Sequence, residues 1–143
     1  VRLRQVRLFI CDVDGVLTDG TVMIGAGGEM KRFSIQDGLG LRLLQKHGIQ
    51  VCWISNRPSE ATTSRAKELK VDFLIQQTGR ATKVLAAEEV LAKTGLGWKD
   101  VCYLGDDIVD LAVLHRAGVA VAVANGISEV KRAAHYVTRV PGG

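Results

Sequence analysis

The sequence predicts a doubly wound, three-layer α/β fold built around a parallel sheet. Short apolar runs rich in β-branched residues alternate regularly with helical patterns. These runs are apolar on both faces, as strands buried inside a parallel sheet are. A chain of 143 residues, 47% of them hydrophobic, is long enough to bury a sizeable core. We therefore predict one domain over residues 1–143.

The predicted strands and helices follow one another as βαβ units. The strands are predicted at Leu8–Val13, Val51–Ser55, Phe73–Ile75, Val101–Gly105 and Val119–Val123. The helices are predicted at about Leu39–His47, Ser59–Leu69, Thr82–Lys93 and Ile108–Ala117. Such a succession favours right-handed crossovers and helices on both faces of the sheet.

One segment departs from this alternation. Two short extended stretches within Thr21–Phe33 flank Gly25-Ala26-Gly27-Gly28, which predicts a β-hairpin flap, at about residues 20–34, after the first strand. Its apolar side chains Val22, Ile24 and Met30 would be exposed in a monomer. This favours an oligomer, the alternative being a solvated flap.

Charge and cysteine content exclude several classes of function. The formal charge of +4 is spread along the chain and is not interleaved with aromatic residues, so we expect no nucleic-acid partner and favour an anionic small molecule. No apolar run approaches the length of a membrane span, and no secretory signal begins the chain, so we expect no membrane partner. The three cysteines all lie inside apolar runs, which indicates buried strand residues and favours a protein of the reducing cytoplasm. The final Pro141-Gly142-Gly143 indicates a turn rather than a docked element.

Polar residues follow the ends of several predicted strands. Asp12 and Asp14 follow the first strand, Ser55 and Asn56 mark the end of the second, and Asp106, Asp107 and Asp110 follow the fourth, with Lys83 at the start of a helix. Ligands bind outside the carboxyl ends of parallel strands, so these side chains are expected to converge. A single aspartate there is more often a turn or capping residue, but capping does not explain the whole set.

The Asp12-Val13-Asp14-Gly15 segment indicates a magnesium site. Alternate residues leaving a strand face the same way, so both carboxylates can border one pocket, and Gly15 permits a sharp reversal. Close carboxylates require a cation, and Asp106 adds a third hard oxygen ligand of the kind that Mg²⁺ prefers. The sequence therefore predicts Mg²⁺-dependent phosphoryl transfer.

These motifs resemble the four signatures of the haloacid dehalogenase superfamily of Rossmann-like phosphatases. The matching positions are Asp12 to Gly20, Ser55, Lys83, and Gly105 to Asp110. Within the superfamily the chain is most similar to the capless 3-deoxy-D-manno-octulosonate 8-phosphate phosphatases of lipopolysaccharide synthesis. That likeness includes Gly27-Gly28-Glu29, Phe33 to Arg42, Asn56-Arg57, Ser64-Arg65-Ala66 and Tyr136-Val137-Thr138.

The resemblance implies roles for individual residues. Asp12 would be the nucleophile that forms an aspartyl-phosphate, and Asp14 would act first as general acid and then as general base. Ser55 and Lys83 would neutralise the phosphoryl oxygens. Asp12, the backbone carbonyl of Asp14, and Asp106 would hold Mg²⁺, with Asp107 and Asp110 behind them through water or Lys83.

The resemblance also implies a sugar acid phosphate substrate and a homotetramer in which neighbouring subunits cover the open site. The implied substrate-binding residues are Asp14, Ser34, Ile35, Gln36, Asp37, Gly38, Arg42, Asn56, Arg57, Arg65 and Lys83. Arg57 favours the octulosonate, because phosphatases of nonulosonate (sialic acid or KDN-type) 9-phosphates tend to carry glutamate there. Gln36 and Asn56 depart from the family pattern, in which arginine and glycine are usual.

The sequence is also compatible with two alternative functions. The first is a phosphatase of a nonulosonate 9-phosphate or of another small phosphomonoester, which would share the same chemistry. The second, from a different class of function, is a non-catalytic oligomerisation module.

Overall fold

The computed structural model describes residues 3–78 and 82–143 and contains a six-stranded parallel sheet. Numbered along the chain, its strands are β1 Leu8–Cys11, β4 Gln50–Ser55, β5 Phe73–Gln76, β6 Val101–Gly105, β7 Val119–Ala122 and β8 Tyr136–Val137. They are ordered β5-β4-β1-β6-β7-β8, with every neighbouring pair parallel. Strand β1, which Asp12 follows, is thus flanked by β4, which ends at Ser55, and by β6, which Asp106 follows.

Helices cover both faces of this sheet. They are α1 Ile35–Lys46, α2 Glu60–Leu69, α3 Lys83–Thr94, α4 Leu111–Leu114 and α5 Ser128–Ala133. Helices α3, α4 and α5 pack with Leu8, Ile10 and Tyr103 in one core, and α1 and α2 pack with Val51 and Trp53 in the other. This three-layer arrangement confirms the predicted fold class.

The structure refines several predicted element boundaries. Helix α1 begins at Ile35 rather than Leu39, because the Ser34 hydroxyl accepts a hydrogen bond from the Asp37 N–H and caps the first turn. The fourth predicted helix is reduced to a 3₁₀ turn, Ile108–Asp110, followed by the four residues of α4. Helix α5 and strand β8 were not predicted.

The predicted hairpin is present between β1 and α1. Strand β2, Met23–Gly25, pairs antiparallel with β3, Gly28–Met30, across a two-residue turn. Met23, Ile24 and Met30 are between 59% and 77% exposed, so these apolar side chains of the hairpin face solvent in a single chain. Val22 is half-buried.

The expectation that the final residues form an undocked turn is wrong. Gly142 is buried and donates a hydrogen bond to the Asn125 side chain, while the Gly143 N–H donates to the Val16 carbonyl. A Cβ at Gly142 would overlap the Gly15 carbonyl, so backbone packs directly on backbone. Glycine permits this close approach, which local sequence does not reveal.

No helix among residues 3–78 and 82–143 is long and apolar enough to cross a membrane.

Two glycine-to-alanine substitutions should change stability in opposite directions. Gly118→Ala places a Cβ against the Lys99 carbonyl, a backbone atom that cannot move away cheaply, and should lower the free energy of unfolding by about 1–3 kcal/mol. Gly40→Ala, inside α1 with open space around it, should raise that energy by up to about 1 kcal/mol. Chemical denaturation measures both; equal effects would contradict the packing described for Gly118.

Candidate active site

The predicted convergence of strand-end residues is confirmed. The carboxyl ends of β1, β4 and β6 border a cavity of about 230 Å³. The cavity is lined by Asp12, Asp14, Ser55, Asn56, Arg57, Lys83, Asp106, Asp107 and Val109. Residues from four separate segments of the chain therefore share one pocket.

Lys83 lies at the centre of this site. It is the first residue of α3, and its side chain is 1% exposed. Its Nζ lies 2.9 Å from Oδ1 of Asp12 and 2.7 Å from Oδ1 of Asp110. Burial alone would lower the pKa of Lys83, but the two carboxylates outweigh it and raise that pKa above its ordinary value. Lys83 therefore remains an ammonium ion.

Asp110 is an internal structural anion. One of its oxygens accepts hydrogen bonds from Lys83 and from the Tyr103 hydroxyl, and the other accepts from the N–H groups of Asp106 and Asp107 at 3.0 and 3.1 Å. Gly105 makes room for it, since a Cβ there would lie 2.6 Å from the Cβ of Asp110. Asp12, Asp106 and Asp110 have oxygens within 4.8 Å of one another, but those of Asp110 are already engaged.

Asp12 and Asp106 are the carboxylates with capacity for a cation. Oδ1 of Asp106 is buried and has no hydrogen-bond partner. Burial raises the pKa of Asp12 to about 6 although Lys83 opposes it, and burial together with Asp12 and Asp110 raises the pKa of Asp106 to about 8. At pH values below these pKa values, a metal ion must therefore compete with protons for the two carboxyl groups.

Gly15 is required for this crowding. Its φ is +91°, a conformation that favours glycine, and a Cβ there would overlap the carboxylate of Asp106. The loop after β1 and the loop after β6 therefore approach each other at the carboxylates of Asp12 and Asp106.

Asp14 contacts a lysine that the sequence analysis missed. Nζ of Lys31, which follows β3 of the hairpin, lies 2.8 Å from Oδ1 of Asp14. The Lys31 side chain is completely buried, and its ammonium donates a hydrogen bond to the Thr62 hydroxyl at 3.3 Å. Nothing in the local sequence distinguishes Lys31 from a solvated hairpin lysine. Glu29 is only two residues away in the sequence, but the contact of Lys31 with Asp14 is formed by folding and is visible only in the structure.

The loop after β4 contributes a hydroxyl and a guanidinium. The Ser55 hydroxyl donates to the Arg57 carbonyl and accepts from the Arg57 N–H, both at 3.1 Å, which closes a tight turn. The Arg57 guanidinium donates to Oε2 of Glu29 at 2.6 and 3.0 Å, and this bond lowers the pKa of Glu29. Among the residues described, Lys70 is the only non-glycine with positive φ, so Asn56 does not need a glycine-like backbone.

Seven predicted substrate-binding residues do not line this cavity. They are Ser34, Ile35, Gln36, Asp37, Gly38, Arg42 and Arg65. Arg65 instead donates to the Ser34 carbonyl and pairs with Glu68, while Arg42 donates to Gln45 and to the Leu69 carbonyl. In a single chain these arginines join α1 to α2.

Known proteins resemble this chain over nearly its whole length. A family model described as haloacid dehalogenase-like hydrolase matches residues 78–141. The 3-deoxy-D-manno-octulosonate 8-phosphate phosphatase of Yersinia pestis is 40% identical over 99% of this chain and 75% of its own, and the Escherichia coli K12 protein of that name is 36% identical over the same shares.

Solved structures show the same similarity. The Moraxella catarrhalis 3-deoxy-D-manno-octulosonate 8-phosphate phosphatase, in complex with magnesium, phosphate and KDO, has a TM-score of 0.94 and is 36% identical over 99% of this chain and 81% of its own. The chain therefore belongs to the haloacid dehalogenase superfamily and, within it, to the family of 3-deoxy-D-manno-octulosonate 8-phosphate phosphatases.

Proposed function

We propose that this chain is a Mg²⁺-dependent phosphatase of 3-deoxy-D-manno-octulosonate 8-phosphate, acting in lipopolysaccharide precursor synthesis. Residues 1–143 would form one phosphatase domain. The observation that carries the proposal is the buried contact of Lys83 with Asp12 at the edge of the sheet, beside the unpartnered oxygen of Asp106. The similarity to named phosphatases across the chain supports the substrate.

Asp12 is the proposed nucleophile. Lys83 and the Val13 N–H, the latter at 2.7 Å, both contact its Oδ1 and hold the carboxylate in one orientation. A carboxylate oxygen of Asp12 attacks phosphorus as the bond from phosphorus to the sugar oxygen breaks, which gives an aspartyl-phosphate. Lys83 and the Ser55 hydroxyl would neutralise charge on the phosphoryl oxygens.

Asp14 is the proposed proton carrier. It lines the same cavity as Asp12, and it would give its proton to the departing sugar oxygen, so that the product leaves as an alcohol. The resulting Asp14 carboxylate would then take a proton from water as that water attacks phosphorus. The bond from phosphorus to Asp12 breaks, which releases inorganic phosphate and restores both carboxyl groups.

The carboxylates fit a magnesium ion. Asp12 and Asp106 offer oxygens, and the partnerless Oδ1 of Asp106 is the kind of buried acceptor that a hard cation satisfies. The Asp14 backbone carbonyl is the third proposed ligand, while Asp107 and Asp110 would support the site from behind. Bound Mg²⁺ would neutralise the carboxylates and the substrate phosphate.

We further propose a homotetramer whose subunits cover each other's sites. The exposed apolar side chains Met23, Ile24 and Met30 on the hairpin support assembly. The segment 34–38, Arg42 and Arg65 lie outside the cavity of their own chain, so we propose that they reach substrate bound to a neighbouring subunit. Three unpaired, buried cysteines, Cys11, Cys52 and Cys102, support a cytoplasmic location.

Asp12→Asn should abolish turnover, because the amide is not a nucleophile. We expect kcat for the octulosonate 8-phosphate to fall by at least about 10⁴-fold, measured as phosphate release at saturating Mg²⁺. The matched control is Asp19→Asn, which changes an exposed aspartate of the same loop and should keep kcat within about threefold. An Asp12→Asn enzyme retaining a tenth of wild-type activity would rule out the assigned nucleophile.

Mg²⁺ should bind more tightly as pH rises from 5.5 to 8.5. The pKa of Asp12 is raised to about 6 and that of Asp106 to about 8, so metal must displace protons at low pH. Each displaced proton changes the apparent dissociation constant by about tenfold per pH unit below the pKa concerned. Because both carboxyl groups are more basic in the folded protein than when unfolded, the metal-free protein should lose stability over the same pH rise.

Calorimetric Mg²⁺ titrations in this pH range, together with thermal melts, measure both effects. Asp106→Asn should weaken binding and flatten its pH dependence, whereas Glu89→Gln, at an exposed carboxylate on α3, should leave both unchanged. An Mg²⁺ affinity in the wild type that does not vary with pH would contradict the description of the two carboxyl groups.

Assays with a panel of phosphomonoesters distinguish the octulosonate 8-phosphate from the alternative substrates. We expect kcat/KM for the octulosonate 8-phosphate to exceed that for a nonulosonate 9-phosphate by at least about tenfold, a difference of about 1.4 kcal/mol in transition-state binding. The opposite ranking would identify the second substrate class. Failure to hydrolyse any phosphomonoester with Mg²⁺ would favour the non-catalytic oligomerisation module.

A further inference from the structure

We propose that Lys31 is a positioning residue that holds the carboxyl group of Asp14 in the orientation needed for proton transfer. The proposal rests on the proposed function, in which Asp14 is the proton carrier. It assigns a catalytic contribution to the hairpin, no residue of which lines the cavity.

The burial of Lys31 requires an explanation. Lysine side chains are almost never fully buried unless they are paired, because removing an ammonium from water costs several kcal/mol. The Lys31 side chain is nevertheless 0% exposed, although the next residue, Arg32, is 86% exposed. An ordinary hairpin lysine would extend into solvent as Arg32 does.

The partners of Lys31 come from three different parts of the fold. Its Nζ lies 2.8 Å from Asp14 Oδ1 in the loop after β1, 3.3 Å from the hydroxyl of Thr62 on α2, and 3.6 Å from Oε1 of Glu29 on β3. Thr62 is fully buried, and the other Glu29 oxygen is held by Arg57. These contacts within the protein therefore hold the Lys31 ammonium in place without any contribution from substrate.

The shortest of these contacts is with the proposed proton carrier. Asp14 is partly exposed at the cavity and follows directly on Val13, beside Gly15 with its φ of +91°. A carboxyl group at such a turn has several rotamers, and a fixed ammonium 2.8 Å away selects one of them. General acid and base catalysis depends on that geometry, because the proton must be within hydrogen-bond reach of the sugar oxygen or the water.

Lys31 therefore acts on proton transfer and leaves the attack of Asp12 on phosphorus unaffected. Asp12 is oriented separately, by Lys83 and the Val13 N–H. A substrate with a good leaving group expels it without a proton, whereas a sugar alkoxide requires one. The reduction in rate caused by replacing Lys31 should consequently depend on the leaving group. A substitution that only weakened the structure would reduce the rates for both kinds of leaving group alike.

The test compares two substrates in the first half-reaction. Single-turnover release of the leaving group is measured with the octulosonate 8-phosphate and with 2,4-dinitrophenyl phosphate, for the wild type, Lys31→Met, Lys31→Arg and Asp14→Asn. We expect Lys31→Met to slow release of the sugar by about 10- to 100-fold, part of the 10²–10⁴-fold that general acid catalysis supplies. Release of dinitrophenol should change by less than about threefold, and Lys31→Arg should recover part of the lost rate.

Two controls make the result specific. Arg32→Met removes the neighbouring exposed cation and should alter neither rate. The double variant Lys31→Met, Asp14→Asn should be no slower on the sugar phosphate than Asp14→Asn alone, because both changes remove the same proton transfer. Thermal melts with and without Mg²⁺ confirm that each variant compared is folded, and Lys31→Arg provides the comparison if Lys31→Met is not.

The outcomes separate this inference from the proposed function. Equal losses on both substrates, no loss on either, or additive losses in the double variant would overturn the role of Lys31 while leaving the phosphatase assignment intact. A folded wild type that releases no leaving group from either substrate would overturn the proposed function, and the role of Lys31 with it.

Discussion

The contact between the buried Lys83 ammonium and its two carboxylates is the constraint on which the site depends. A buried cation must be neutralised, and Asp110 does this without taking part in the proposed chemistry. The other oxygen of Asp110 accepts hydrogen bonds from the N–H groups of Asp106 and Asp107. Asp110 therefore also holds in place the loop that carries the Asp106 carboxylate. Asp12 shares the ammonium, so its orientation follows from a contact that exists before substrate binds.

Close backbone packing supplies the second constraint. Gly15 allows the carboxylate of Asp106 to approach the loop after β1, and Gly105 allows Asp110 to lie beneath β6. Gly142 then packs on the carbonyl of Gly15 from the opposite end of the chain. The loop that carries Asp14 is therefore held between the carboxylate loop and the C-terminal residues, which explains why glycines recur around the site.

The sequence predicted the parallel sheet and the convergence of polar residues at the strand ends because both follow from local signals. Apolar runs identify buried strands, and polar residues at strand ends converge whatever the details of packing. It did not predict β8, since two residues have no periodicity, nor the docking of Gly142. The burial of Lys31 and the separation of Arg42 and Arg65 from the cavity depend on how the hairpin, α1 and α2 pack, and no local pattern encodes that packing.

The hairpin has two different faces, and strand geometry explains how. Successive side chains in an extended strand point to opposite sides, which separates Glu29 from Met30 on β3. Lys31 and Arg32 follow β3 and continue the alternation in their burial, so Glu29 and Lys31 form one pair while Met30 and Arg32 form the other. The first pair faces Arg57 and Asp14, and the second pair is exposed. Contacts made by Met30 and Arg32 therefore do not compete with those that Glu29 and Lys31 make at the site. Because Lys31 follows β3 directly, a displacement of the hairpin would move the charges of Glu29 and Lys31 together relative to the cavity.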